Sequence, residues 1–323
     1  MRKQEKPLLS IIIVNYNVKE EILDCIQSIK DNINFNDMPY EVIVSDNGST
    51  DGSVEAVKKK FPWVIVVENH ANLGFGKANN IGAKQARGNV LFFLNPDTRV
   101  LRRIEEMAMF LFNHQGAGIC GPVIYNRENK EVTYFEISVY LNLFLQITDL
   151  MLTPITRLYF TYKKYSFKKQ VNKGKPFTTS LIHGCAMMFS RPAFDAVGGF
   201  DEDLFMYGEE ADVGIKVKKQ NFRVTIFPQA KIVHYEGSST KQAVNTKKDV
   251  MCTVAMKTVL KRHFSRTWYI RYHIEMLSQL RQITISYINA YVSCFNKKKY
   301  LNYLGIADRH LAKYRLLKTV LHS

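Results

Sequence analysis

The sequence predicts an α/β fold: a mostly parallel central sheet flanked by helices, followed by a C-terminal helical extension. Three observations carry that expectation. Runs of Ile, Val, Leu and Phe near residues 8–14, 41–45, 64–67 and 90–94 are too short for helices, and they read as strands covered on both faces. Segments with helical spacing lie between them, and such alternation argues for parallel βαβ units with right-handed crossovers. Beyond residue 239 strand signals stop, and basic, aromatic-rich helical patterns take over.

Taken in order, Leu8–Val14 is a first strand rich in Ile and Val, ending in the polar turn Asn15-Tyr16-Asn17. Glu20–Lys30 places Ile22, Leu23, Ile26 and Ile29 on one helical face. Glu41–Ser45 is a second strand. It runs into Asp46-Asn47-Gly48-Ser49-Thr50-Asp51-Gly52-Ser53, whose Gly, Ser and Asp residues supply turns and an N-cap for a helix over 54–60. A third strand covers 64–67. The glycine-containing loop 69–80 feeds a helix that Gly88 is expected to close.

The run Val90-Leu91-Phe92-Phe93-Leu94 is a fourth strand, and Asn95-Pro96-Asp97-Thr98 stops it. Pro96 cannot donate to a ladder, so Asp97 is left at the carboxyl edge of the sheet. Ligands of open α/β sheets bind at that edge. A carboxylate there suits a divalent metal, and a metal suits a diphosphate. The plain alternative is a strand-to-helix turn in which Asp97 or Thr98 caps a helix beginning near Arg102.

Further strands are expected at Ile119–Val123, Ile182–Phe189, Arg223–Phe227 and Lys231–His234, with helices at Arg191–Val197 and Glu209–Gln220. Between them, residues 139–160 carry many large apolar residues and Pro154, which divides them into two short helices; lysines follow. Such a pair either packs as ordinary core or lies in a membrane interface. Residues 236–239 end the domain. The organisation expected is a catalytic domain over 1–240, variable and helical at 125–180, and a basic amphipathic helical region over 241–323.

Charge sets this region apart. The 323-residue chain has formal net charge +16. Residues 241–323 hold 16 Lys and Arg against 3 Asp and Glu, so the first 240 residues are nearly balanced. A basic tail on a neutral body implies an anionic partner, membrane lipid or nucleic acid. The five cysteines are scattered without a C-x-x-C pair, a pattern for a reducing compartment rather than a disulfide framework. No stretch reaches the ~18 uncharged apolar residues of a spanning helix. The expectation is a cytoplasmic protein, peripheral on the inner face of the cell membrane.

A second acidic focus is Tyr207-Gly208-Glu209-Glu210-Ala211-Asp212, where a loop enters a helix. Carboxylates there feel the favourable N-terminal dipole. Glu209 and Glu210 point about 100° apart, so one can anchor the fold while the other faces a cleft as a general base. An acidic cap on an amphipathic helix is the plain alternative. His234, at a strand end, is available to a metal held by Asp97, although a lone histidine is more often structural.

The blocks VNYN, VSDNGSTDGS, NLGFGKANN, FFLNPDT, GCAMMFSR, VGGFDEDLFMYGEEADVGIKVKKQNFRV and IVHYEGSS occur in this order. Together they resemble family 2 glycosyltransferases of the GT-A fold, closest to the rhamnosyltransferase-like branch. The resemblance runs over residues 8–240, with gaps around 125–180. It implies an inverting hexosyltransferase using a nucleotide-activated sugar and Mg²⁺ or Mn²⁺. Asn95-Pro96-Asp97 stands where the family has Asp-x-Asp, leaving Asp97 the metal role and Asn95 in place of the first acid. The resemblance puts Asp46 against the nucleotide base, with Asn15, Tyr16 and Asn17 at the same pocket. Gly74 and Asn79 fall in the loop that closes near the donor. Glu210 takes the position of the catalytic base, with Glu209 or Asp212 as alternatives, and His234 completes the metal site.

The activity expected is sugar transfer, with dTDP-rhamnose as the donor or another dTDP- or UDP-sugar, to a lipid-linked glycan in cell-surface polysaccharide synthesis. The tail then docks on an anionic membrane surface; packing on the catalytic domain or a homodimer contact are its plain alternatives. Two other readings compete. One is a nucleic-acid-binding protein acting through the basic tail, which leaves Asp97, Glu210 and His234 unexplained. The other is an inactive nucleotide-sugar scaffold, motivated by Asn95 and Glu210 replacing commoner acids.

Overall fold

The computed structural model describes residues 8–34, 38–128, 130–131, 142–235, 246–293 and 295–322. The chain forms two compact units: Met1–Phe135 with Ser166–Lys241, and Glu136–Tyr165 with Gln242–Ser323. Residues 236–239 and the first part of the 139–160 run lie outside the described residues.

The strands are β1 (Leu9–Asn15), β2 (Tyr40–Asp46), β3 (Ile65–Glu68), β4 (Val90–Leu94), β5 (Thr98–Arg102), β6 (Ala117–Tyr125), β7 (Phe177–Thr178), β8 (Ala186–Ser190) and β9 (Arg223–His234). The helices are α1 (Lys19–Asn32), α2 (Ser53–Lys60), α3 (Phe75–Gln85), α4 (Ile104–Asn113), α5 (Leu143–Met151), α6 (Thr153–Asn172), α7 (Arg191–Ala196), α8 (Glu209–Lys219), α9 (Thr246–His263), α10 (Trp268–Val292) and α11 (Lys297–His322).

All nine strands belong to one sheet in the first unit, in the order β3-β2-β1-β4-β8-β6-β9-β5, with β7 paired to β9. The first four are parallel. β8 runs antiparallel to β4 and β6, β9 is parallel to β6, and β5 is antiparallel to β9. Side chains alternate across the sheet. Ile11 and Ile13 of β1 join Phe92 and Leu94 in a core with Ile22, Ile26 and Ile29 of α1 and Met107 of α4. Ile12 joins Leu91 and Phe93 in a second core with Ala83, Phe194, Phe200 and Val213. Both faces are dry, which is why these strands read as unbroken apolar runs.

Four expectations need correction. Thr98 does not open a helix: Thr98–Arg102 is β5, Thr98 pairs with His234, and its Oγ1 donates to Asn95 O at 2.6 Å. The strands expected at 223–227 and 231–234 are one strand, β9. Its register against β6 jumps between Pro122 and Val123, from Phe227 to Lys231. Pro228 falls in that irregularity, as a residue without a ladder donor does. The strand expected from Ile182 starts only at Ala186. Gly88 does not close a helix, because α3 ends at Gln85 with Ala86 in extended backbone. It is instead packed against β1, its N–H donating to Ser10 Oγ at 2.8 Å. A Cβ added at Gly88 would lie 2.7 Å from Ser10 N and 2.9 Å from Leu9 C.

The second unit is helical. Leu260, Tyr272, Met276 and Leu317 form its core, and Tyr272 Oη donates to Leu317 O at 3.0 Å. Arg281 Nη1 donates to Leu150 O at 2.8 Å, tying α10 to α5. Beside this core Gln279 donates to Glu275 (2.8 Å), His310 Nδ1 meets Gln279 Oε1 (2.7 Å), and Lys313 pairs with Glu275 (3.1 Å). Among the described residues, no helix is long and apolar enough to cross a membrane.

Because the obstacle at Gly88 is backbone of a central strand, Gly88→Ala should cost ~1–3 kcal/mol by overpacking. Urea unfolding should show a lower midpoint with an unchanged slope; a wild-type midpoint would refute this account of the glycine.

Candidate active site

The sheet topology brings distant residues to one edge. β1, β2 and β4 are parallel, so Asn15, Asp46 and Asn95 leave the sheet on the same side. β8 is antiparallel to β4, so its amino end joins them: Leu94 pairs with Ala186, and Asn95 N–H donates to Cys185 O at 2.9 Å. β9 has the same direction as β4, and its last residue, His234, arrives there too. β5 starts there beside it, and Tyr235 N–H donates to Asp97 O at 2.9 Å. His234 Nε2 consequently lies 3.2 Å from Asp97 Oδ1, with both side chains largely buried.

Two further donors, which the sequence reading does not single out, stand beside this pair. One ligand atom each of His183, Cys185 and His234 lies within 4.8 Å of the others. The rings of His183 and His234 meet edge to face with centroids 5.3 Å apart. Cys185 N–H donates to His183 Nδ1 at 3.2 Å, which orients that ring. The signal available in the sequence was His-Gly-Cys immediately before a strand that starts at the ligand edge. A carboxylate and an imidazole at 3.2 Å, with a second imidazole and a thiol alongside, make a donor set suited to a divalent cation.

The acidic focus enters the same region. Glu209, Glu210 and Asp212 lie in the first turn of α8, after Gly208. The Glu210 Oε2 is 3.6 Å from where a Cβ on Gly184 would sit, so glycine lets the carboxylate close over the His183–Cys185 segment. Glu209 is turned inward: it is 4% exposed, and its Oε1 has no hydrogen-bond partner among the described residues. Burial, then the charge of Glu210, pushes its pKa up to about 8. Burial also raises Glu210. Asp212 is fully buried, its Oδ2 2.6 Å from Lys216 Nζ one turn on, so it faces the interior.

The residues expected at a nucleotide form a connected network. Asn15 Nδ2 donates to Asp46 Oδ1 (2.8 Å) and Ser53 Oγ (2.7 Å). Asp46 Oδ2 accepts from Gly48 N (3.0 Å) and Ser49 N (2.9 Å), which shapes the loop. Three of the carboxylate's roughly four acceptor sites are thereby used within the chain. Asn17, with positive φ, receives Thr50 N–H on Oδ1 at 2.8 Å, and Tyr16 stands exposed at the rim. Gly74 (φ 84°) precedes α3, and a Cβ there would meet Phe205 O at 2.4 Å. The adjoining Phe75 N–H donates to that same Phe205 O at 2.8 Å, binding this loop to the segment that leads into Glu209. Asn79 corrects an expectation: it is not in a loop but inside α3, buried, donating to Phe75 O at 3.0 Å.

Known proteins resemble this chain in sequence and fold. The family described as "Glycosyl transferase family 2" matches residues 10–198, more than half of the chain, and "N-terminal domain of galactosyltransferase" matches residues 166–238. An N-acetylglucosaminyl-diphospho-decaprenol L-rhamnosyltransferase of Mycobacterium tuberculosis is 28% identical, over 62% of this chain and 68% of that protein. A dTDP-rhamnosyl transferase, RfbF, of Shigella flexneri is 21% identical, over 82% of this chain and 91% of that one. Among solved structures, the mannosyltransferase PcManGT of Pyrobaculum calidifontis, in complex with GDP-Man and Mn²⁺, superposes with TM-score 0.61 at 15% identity. It covers 98% of this chain and 87% of its own. The fold is GT-A.

Glu209 supplies a test of the burial described. Its folded pKa is above the unfolded value, so the native state holds the extra proton between the two. Its contribution to stability is complete below about 4.5 and is lost as pH rises toward about 8. Glu209→Gln should therefore flatten the fall of stability over that interval, by up to ~1.4 kcal/mol per pH unit, in urea titrations at a series of pH values. Parallel curves for wild type and variant would show that Glu209 is not buried against its charge.

Proposed function

The chain belongs to glycosyl transferase family 2, and from that premise we propose an inverting, metal-dependent transfer of L-rhamnose from dTDP-rhamnose to a hydroxyl of a lipid-linked glycan. The observation that carries the reading is the meeting of Asp97, His234 and the Glu210 loop at one edge of the sheet. The choice of donor and acceptor is supported by the relatives whose names specify L-rhamnosyl transfer, dTDP-rhamnose and a diphospho-decaprenol carrier.

Asp97 and His234 are the residues that would hold the cation. When bound, Mg²⁺ or Mn²⁺ offsets the charge developing on the departing nucleoside diphosphate. Asp46, Asn15, Tyr16 and Asn17 form the nucleotide side, with Gly74 linking it to the acidic loop. Glu210 accepts the proton of the acceptor hydroxyl as that oxygen bonds to the anomeric carbon and the bond to the diphosphate oxygen breaks. A single displacement from the opposite face inverts the centre. Burial raises both carboxyls of the pair, and Glu210 is the one that stands over Gly184 at the sheet edge.

The second unit supports a membrane-docking role at the cytoplasmic face. Tyr291 and Phe295 are 80% and 101% exposed, next to Lys297, Lys298 and Lys299. Phe144 and Met151 of α5 are also exposed. Exposed aromatic and aliphatic side chains with lysines suit an anionic bilayer interface.

Calorimetry with UDP, dTDP and GDP, each with and without Mn²⁺, tests the site. One nucleotide should bind with metal, and Asp97→Ala should lose that dependence. Glu210→Gln should keep nucleotide binding while kcat falls about 10²–10⁴-fold. The acid limb of the wild-type rate profile should lie above the ordinary glutamate pKa of ~4.3. No nucleotide bound by folded protein would sink the reading. For the second unit, sedimentation with phosphatidylglycerol vesicles should show salt-sensitive binding. Replacing Lys297, Lys298 and Lys299 by Gln should weaken it by about two orders of magnitude at ~1 kcal/mol per lysine. Binding to nucleic acid but not to vesicles would point to the other anionic partner.

A further inference from the structure

His183 and Cys185 have no part in the activity as derived so far, yet they sit at its centre. They flank Gly184 at the start of β8, and each presents a ligand atom within 4.8 Å of the other and of His234. The Asn95-to-Cys185 backbone bond holds this segment beside the Asp97 turn, and Asp97 Oδ1 is 3.2 Å from His234 Nε2. Cys185 and His234 are buried, and His183 is half-buried.

We infer that His183 and Cys185 complete the metal site of this chain, which takes a borderline, thiophilic divalent cation, Zn²⁺ or Co²⁺, in preference to Mg²⁺. The inference rests on the reading of Asp97 and His234 as the metal pair and adds the identity of the ion. Mg²⁺ demands near-octahedral oxygen ligands and keeps several waters. A set of two imidazoles, a thiolate and a carboxylate offers one hard oxygen donor among softer ones, and that composition favours Zn²⁺ and Co²⁺. Binding replaces the Cys185 S–H proton by the metal and releases it to solvent. The Cys185 N–H bond occupies the His183 Nδ1 lone pair and leaves the proton on Nε2, so ligation by His183 replaces this bond. Glu210, whose Oε2 lies over Gly184, stays outside this donor set and free for proton transfer.

The test uses the full chain stripped by chelation and titrated with Co²⁺, followed by absorption. The expected result is a visible d–d spectrum with a thiolate-to-cobalt charge-transfer band in the near ultraviolet. Cys185→Ser should lose the charge-transfer band, and Cys252→Ser should keep it. His183→Ala should weaken Co²⁺ binding at least ~10-fold, the scale seen even for outer partners of metal ligands. Zn²⁺ should displace Co²⁺ stoichiometrically, whereas a large excess of Mg²⁺ should not. Circular dichroism verifies folding; if Cys185→Ser is unfolded, Cys185→Ala and His183→Gln give the same readouts. A wild-type spectrum without the charge-transfer band, or one unchanged in folded Cys185 and His183 variants, would overturn the inference. Calorimetry of nucleoside diphosphate with each of Mg²⁺, Mn²⁺, Co²⁺ and Zn²⁺, run in parallel, separates the two claims. Metal-dependent nucleotide binding that ignores both variants removes only the added ligands, whereas its absence in wild type counts against the transferase reading itself.

Discussion

The arrangement of the site depends on one reversal in the sheet, the antiparallel pairing of β8 with β4. Parallel strands alone would bring only carboxyl ends to the ligand edge. Reversing β8 adds an amino end, and the segment preceding it, His183-Gly184-Cys185, is fixed there by the bond from Asn95 N–H to Cys185 O. β9, back in the direction of β4, then delivers His234 against the turn that carries Asp97. Three segments far apart in sequence thus meet through backbone hydrogen bonds, which is a more rigid way to place ligands than long loops.

The opposite edge is held by a buried carboxylate. Glu41 Oε1 accepts from Ser10 Oγ and from Arg87 N–H, both at 2.6 Å, and Oε2 accepts from Arg87 Nε at 3.0 Å. Ser10 Oγ in turn accepts from Gly88 N–H. Such a charge would be costly without partners. With them it locks β1, β2 and the entry to β4 together, and it requires glycine at 88 because the backbones approach so closely. The same logic operates at Asp46, whose bonds to Asn15, Gly48 and Ser49 shape the loop at the ligand edge. Both anchors are satisfied polar groups in an otherwise apolar sheet, so they specify which strands neighbour which.

The acidic loop shows burial overriding a helix dipole. The N-terminus of α8 favours ionised carboxylates by a fraction of a kcal/mol to ~2 kcal/mol. Glu209 is nonetheless pushed up to about 8, because desolvation outweighs that term and Glu210 adds repulsion. Burial raises Glu210 as well, so in both adjacent glutamates desolvation prevails over the helix dipole, the direction in which a carboxylate is tuned toward service as a base.

The sequence by itself determined the strands β1 to β4 and the helices between them, because strands buried on both faces leave unbroken apolar runs and their turns carry Gly, Asn and Asp. It also singled out Asp97, Glu209, Glu210 and His234, since acids and histidines at strand and helix ends are visible as local pattern. It did not show Thr98–Arg102 as a strand and left a turn into a helix near Arg102 open, for Thr-Arg-Val-Leu-Arg alternates only weakly and its partner strand lies more than 100 residues on. It broke β9 at Pro228, where a bulge absorbs the proline within one strand. It placed Asn79 in a loop, although α3 begins directly after Gly74. His183 and Cys185 carried no periodic signal at all. Tertiary structure alone decided that they stand with His234, because the order and direction of strands in a sheet are set by long-range pairing, and no window of local sequence contains both partners.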